Sequence, residues 1–274
     1  MTLEASVPGS TGSADPLVRR RLLGLDFVDA ASISRVADVV SADPPEAVRL
    51  PLVVTPNVDI VIQLRRSPPV GVVDAFQQAW MVLPDGQPIV WLSRLVGRRL
   101  SSRLTGSDLF SVLWARWRAD GTPVVMVVPG AEVARRLELE HPAASVQVAP
   151  IVASSDDDAI RTIARQCVSQ LRASGATSVL FGLGHPKDTL LALALVDELG
   201  PGAPLPLMCC LGASFELHLG LRRRAPEWMQ QWSLEWLFRL VQEPRRLAYR
   251  YLVRDVAFIP IALSEIWASR RRNR

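Results

Sequence analysis

The stretch "TSVLFGLGHPKDTLLALALVDELGPGAPLPLMCCLGASFEL", residues 177–217, decides the fold. It opens with a short apolar run and a Gly-rich turn. A continuous helix-forming segment follows from Asp188 to Leu199. Gly and Pro then break the chain before a second apolar run, "PLMCCLGASFEL" (206–217), which reads as a strand. Two apolar strands joined through a helix form a strand–helix–strand unit, and such a unit makes its strands parallel.

The same alternation extends towards the N-terminus. "TPVVMVVPGAEVARRLELEHP" (122–142) reads as strand, Gly turn and helix, and "SVQVAPIV" (145–152) as a strand. "SSDDDAIRTIARQCVSQLRASG" (154–175) places Ile160, Ile163, Ala164, Cys167 and Leu171 on one helical face and stops at Gly175. "RLPLVVTPN" (49–57) is a buried strand ending in a Pro turn. Residues 58–86 read as helix, Pro break, helix, short strand and Asp-Gly turn. Near the start, a strand over 22–27 precedes a helix carrying Ile33, Val36, Ala37 and Val40. The expected fold is α/β: a parallel-sheet, Rossmann-like core over residues 21–220, preceded by a disordered leader over 1–20. Ligands of such sheets sit beyond the carboxyl ends of the strands, which singles out "VTPN" (54–57), "LPDG" (83–86) and "GLGHPKD" (182–188).

The remainder, 221–274, differs. Trp228, Met229, Trp232, Trp236, Leu237, Leu240 and Val241 form a helical stripe, and Pro244 interrupts it. A second helical stretch contains Pro260 and runs into "SRRRNR". This reads as an α-helical, membrane-proximal appendage. The net charge of +4 conceals an asymmetry: residues 222–274 hold 12 Arg against 5 acidic residues, +7, while the other 221 residues hold 19 basic and 22 acidic, −3. Lys187 is the only lysine, so composition explains Arg in place of Lys but not the clustering. A core that is not basic argues against nucleic acid as a partner. Three Cys are too few for a disulfide framework and suit a reducing cytoplasm. No apolar run reaches the length of a membrane span.

Most chemical motifs have ordinary readings. Asp156-Asp157-Asp158 could hold a cation, but acids after Ser154 or Ser155 also suit a capped helix N-terminus. Gly182-Leu183-Gly184 lacks the third Gly of a dinucleotide fingerprint. His141, His185 and His218 are scattered, without metal-ligand spacing, so neither metal nor cofactor is expected. Asp85 ends a strand beside Thr55 and Asn57 of another turn at the same edge, and a carboxylate so placed suits proton abstraction from a hydroxyl. In the tail, Arg239, Arg246 and Arg250 fall near one helical face, where guanidiniums suit phosphate or diphosphate. The interleaved Trp and Tyr suit a membrane interface.

Three segments then carry a resemblance: Arg224-Ala225-Pro226-x-Trp228, Glu235-Trp236-Leu237-x-Arg239-Leu240 and Glu243-Pro244-x-Arg246-Leu247. Together with "VTPN", "LPDG", "TGSDL" (105–109) and "GLGHPK" in that order, the chain resembles the WecG/TagA/CpsF family of glycosyltransferases. The resemblance implies a bacterial, membrane-peripheral, metal-independent enzyme on the inner face of the membrane. It would transfer a sugar, with inversion, from a UDP-sugar to a polyprenyl-diphosphate-linked acceptor for a cell-surface polysaccharide. Self-association is also implied. Asp85 matches the family's base, and Thr55 and Asn57 its polar active-site positions. Asp108, Gly184, Pro186, Lys187 and Asp188 match donor-side positions. Arg224, Arg239, Arg246 and Arg250 match appendage residues that engage diphosphate. The chain departs from the family pattern at Asp188-Thr189 (for Gln-Glu), Val128-Pro129 (for paired glycines), Glu216 (for Asp) and Tyr249 (for Arg). The first two departures keep a rival reading open, a catalytically inactive relative that binds or scaffolds.

Overall fold

A computed structural model describes residues 17–42, 48, 50–222, 226, 229, 235–242 and 255–272. Eight strands form one sheet: β1 (Val18–Leu22), β2 (Leu25–Asp29), β3 (Leu50–Val54), β4 (Ala79–Val82), β5 (Val124–Val128), β6 (Ala144–Val148), β7 (Ser178–Phe181) and β8 (Leu207–Cys210). Their order is β1-β2-β4-β3-β8-β7-β5-β6, and every pairing except β1 with β2 is parallel. The sheet is thus α/β and mostly parallel, as the strand–helix alternation predicts.

Helices cover both faces, and strand periodicity sorts the core between them. Val125 and Val127 of β5, with Val179 and Phe181 of β7, join one hydrophobic cluster. That cluster is closed by α2 (Val58–Arg66), α3 (Val72–Gln78), α4 (Gln87–Leu95), α7 (Asp157–Ser174) and α8 (Lys187–Leu199). Val124, Met126, Val128 and Leu180 face the other way. They pack against α1 (Ile33–Ser41), α5 (Gly106–Asp120), α6 (Ala131–Glu140) and α9 (Ser214–His218). Adjacent residues of a strand point to opposite faces, so the near-continuous apolar runs of β5 and β8 are those of strands buried on both sides. Burial pushes the thiols of Cys167, Cys209 and Cys210 upward, so they pack as small apolar groups.

Several features differ from the sequence reading. The expected strand over 22–27 is a hairpin, and its first strand begins at Val18, inside the span assigned to the leader. Leu23 (φ 56°) and Gly24 (φ 82°) make its turn; a pair of positive φ values twists a two-residue loop to suit antiparallel strands. The last strand also stops early, at Cys210, and α9 occupies part of the stretch read as strand. The acidic run 156–158 does open a helix, with Asp156 rather than a serine as its cap, accepting from the Ala159 N–H at 3.1 Å.

Two further helices are described near the C-terminus, α10 (Glu235–Gln242) and α11 (Phe258–Arg272), the latter entered through a 3₁₀ turn, Asp255–Ala257. Phe258, Ile261, Ala262 and Ile266 of α11 pack on the α2 side of the core. Glu265 pairs with Arg98 at 3.5 Å. Among the described residues no helix is long and apolar enough to cross a membrane.

Candidate active site

The chain builds β1–β4 on one side of the sheet and β5–β8 on the other, and the halves meet where β3 pairs with β8. A cavity of about 450 Å³ opens above the carboxyl ends around this junction. Such a switch point is where connecting loops diverge and leave room for a ligand.

The turns after β3 and β4 are fastened together. The Leu83 N–H donates to the Val54 carbonyl at 2.8 Å, and the Asp85 N–H to the Pro56 carbonyl at 3.2 Å. Asp85 therefore stands beside Thr55 and Asn57, half-buried, and all three line the cavity. Asn57 also caps α2, its side chain accepting from the Ile60 N–H at 3.1 Å. That bond fixes the carbonyl end of its amide and leaves the NH₂ end for other partners.

Asp188, in the first turn of α8, is buried. One carboxylate oxygen accepts from the Leu183 and Gly184 N–H groups at 2.8 and 3.0 Å, and the other from the Gly212 N–H at 3.0 Å. The side chain thus ties the β7 turn to the β8 turn. Burial pushes its pKa up to about 6, against the pull of these three N–H groups and of Lys187. Gly182 sits where no side chain fits: a Cβ there would lie 2.3 Å from the Phe215 ring.

The α5–α9 wall carries hydroxyls and one ion pair. Thr105 caps α5, accepting from the Asp108 N–H at 3.0 Å, and its hydroxyl lies 3.1 Å from that of Ser107. Ser214 donates to the Leu211 carbonyl at 2.6 Å. Glu216 pairs with Arg222 at 2.8 Å, and both line the cavity. On the opposite wall Gln63 donates to Asp59 at 3.1 Å, one helical turn away. The His185 ring meets Phe76 edge-on at 5.6 Å. Burial pushes the His185 pKa down to about 4, although the charge of Asp59 acts to raise it. Among the described residues no group of three or more His, Cys, Asp or Glu is arranged to hold a metal ion.

The profile of the "Glycosyl transferase WecG/TagA/CpsF family" matches residues 20–272. The chain belongs to this family. A relative from Bacillus spizizenii, named N-acetylglucosaminyldiphosphoundecaprenol N-acetyl-beta-D-mannosaminyltransferase, is 27% identical over 228 residues. The alignment covers 81% of this chain and 82% of that one.

Of the positions the family resemblance selects, the fold brings Thr55, Asn57, Asp85, Gly184 and Asp188 to one cavity. Asp108, Pro186 and Lys187 stand next to lining residues without lining it themselves. Arg224, Arg246 and Arg250 lie outside the described residues, as does the side chain of Arg239 on α10. Sequence reasoning missed Asp59, Gln63, Phe76, His185, Ser214 and Arg222. A signal for His185 was present, since it directly follows Gly184 in a turn already singled out. Among the family departures, Val128 turns its side chain into the core, while Pro129, Asp188, Thr189 and Glu216 line the cavity.

Proposed function

We propose that this WecG/TagA/CpsF glycosyltransferase moves a hexose or N-acetylhexosamine from a UDP-sugar, with inversion, to the sugar of a polyprenyl-diphosphate-linked acceptor in cell-surface polysaccharide synthesis. The observation that carries this reading is Asp85 in the cavity beside Thr55 and Asn57. Asp85 takes the proton of the acceptor hydroxyl as its oxygen attacks the anomeric carbon from the face opposite UDP. The glycosidic electrons leave with the diphosphate. Thr55 and Asn57 orient the reacting hydroxyl. Arg224, Arg239, Arg246 and Arg250 neutralise the diphosphates in place of a metal, with Arg222 already at the cavity wall. Gly184 has φ +85° and open space where a Cβ would stand, which suits close approach of the donor. Asp108, Pro186 and Lys187 border that approach, and Asp188 acts through the loops it holds.

The rival reading, an inactive relative, draws on the departures at Asp188 and Val128. The Asp188 carboxylate is spent on backbone N–H groups and Val128 faces the core, so neither substitution fills the cavity. A peripheral position at a membrane surface is supported by α11, and the inner face is part of the same proposal. Ile259, Leu263 and Trp267 are exposed at four-residue spacing, and the Arg271 guanidinium lies 3.3 Å over the Trp267 ring. Asp85→Asn preserves shape and the Asp85 backbone bond. Transfer from UDP-sugars to a short-chain polyprenyl-diphosphate sugar should fall roughly 10²–10⁴-fold, with the melting temperature unchanged. Undiminished turnover would remove Asp85 from the chemistry.

A further inference from the structure

Among the cavity residues with no part in proton transfer or diphosphate binding are Asp59 and Gln63 of α2, Phe76 of α3, and His185 in the turn before α8. They sit on, or next to, the helices of one face of the sheet, opposite the wall that carries Arg222. Asp59 and Gln63 are joined side chain to side chain at 3.1 Å. That bond uses one amide hydrogen of Gln63, and its amide has a second N–H and a carbonyl oxygen. The Nδ1 of His185 is buried and has no hydrogen-bond partner among the described residues. Buried polar atoms are nearly always paired, and this one lies on a ring that lines the cavity but has no surface open to it, so an entering group would meet it after a small turn of the ring.

The chemistry of this wall selects the group. A carboxylate repels a diphosphate, and neither Arg nor Lys is among the four. Phe76 is buried, with its contact to His185 at an edge, and offers no open face for stacking a base. A carboxylate, a carboxamide and a neutral imidazole do suit neighbouring hydroxyls, each of which both donates and accepts. We propose that Asp59, Gln63 and His185, backed by Phe76, form a subsite that takes a hexose ring through adjacent hydroxyls and thereby sets which sugar is accepted. The inference rests on the glycosyl-transfer reading, and the hexose could belong to donor or acceptor.

Titration calorimetry separates these cases. The full chain is titrated with UDP, with UDP-hexoses epimeric at C2 and C4, and with a short-chain polyprenyl diphosphate with and without its hexose. In the wild type the hexose should add affinity over its sugar-free parent. Gln63→Ala and His185→Ala should each remove about tenfold of that increment, in the donor arm or the acceptor arm, while leaving sugar-free binding within about twofold. Asp59→Asn, which keeps the shape, should flatten the preference between epimers. The arm that responds identifies the sugar's owner. Three results overturn the subsite: no hexose increment in the wild type, an increment untouched by all three variants, or an equal loss with and without the sugar. Failure of the broader reading looks different, since it appears as absent transfer by the wild type whatever these affinities are.

Discussion

On the α2–α8 side of the cavity the polar groups are bound to one another or to the loops. Asp59 holds Gln63, and Asp188 holds three backbone N–H groups. On the α5–α9 side they are hydroxyls, Thr105, Ser107 and Ser214, and an ion pair, Glu216 with Arg222, that keeps partial contact with water. Asp59 and Asp188 on the first wall are buried and costly to disturb, whereas the Glu216–Arg222 pair on the second is partly exposed and cheap to rearrange. Rigid groups suit the recognition of a sugar's fixed stereochemistry, where misplacement by an ångström costs much of the catalytic advantage. A half-exposed guanidinium suits a diphosphate that must enter and leave.

The sharpest way to break this contrast is Asp188→Ala. It strands three N–H donors in the two loops that carry Gly184 and Gly212. Leaving a buried donor unmet costs about 1–3 kcal/mol, and water entering from the cavity would recover part of the total. A loss of roughly 3 kcal/mol in chemical denaturation is expected, with Asp188→Asn well below that. A loss under about 0.5 kcal/mol would mean that the loops are held by something else.

Gly182→Ala comes next. Its Cβ would meet the Phe215 ring at 2.3 and 2.4 Å, and that ring is itself packed against Phe110, with centroids 4.9 Å apart. The ring has nowhere to swing, so overpacking should cost about 1–3 kcal/mol. Gly184→Ala is the control: no atom lies within 4 Å of its added Cβ, and only the strain of φ +85° remains, about 1 kcal/mol. Thermal melts of the two variants should rank in that order.

These loops show what the sequence could and could not disclose. The parallel core was legible because β5, β7 and β8 are buried on both faces and so read as unbroken apolar runs. The juxtaposition of Asp85 with Thr55 was legible because two strand-end turns must share an edge. The hairpin was hidden, since β1 is an exposed edge strand that tolerates Arg19, Arg20 and Arg21, and its turn places Leu23 where Gly or Asn would have announced it. Asp59 and Gln63 share one turn of α2, but their meeting with His185 was hidden because it comes through the packing of α2, α3 and α8 on one face of the sheet, a long-range arrangement that spacing along the chain does not express.

Protonation offers a subtler test of the α2–α8 wall. The folded-state pKa of His185, about 4, lies below its ordinary 6.5. The neutral ring is therefore favoured by folding. Its contribution is complete above pH 6.5 and is lost as the pH falls towards 4. Asp188 runs the other way: its folded value, about 6, exceeds 3.8, so its contribution is complete at low pH and declines as the pH rises from about 4 to 6. The two oppose each other within one window. His185→Gln should remove the acid-side loss, by roughly 1–3 kcal/mol between pH 6.5 and 4, and leave the Asp188 slope in view. Parallel stability profiles for variant and wild type would show that the imidazole is not desolvated in the way its burial indicates.

The smallest effect belongs to the other wall. Arg222 and Glu216 are bonded at 2.8 Å with side chains 40% and 23% exposed, so their mutual attraction is screened. Pairs of this kind contribute about 0–1 kcal/mol to stability. Glu216→Gln should hardly move the melting temperature. It should nevertheless alter binding, because the carboxylate competes with any incoming diphosphate for the same guanidinium. Removing that charge also removes a repulsion towards the ligand. UDP affinity should rise by about twofold to fivefold, most clearly at low salt, where screening is weakest. Arg222→Ala should do the reverse. If Glu216→Gln instead weakens UDP binding, the carboxylate is orienting Arg222 rather than competing for it. The α5–α9 wall would then be as preorganised as the wall it faces, and the contrast between them would be one of exposure alone.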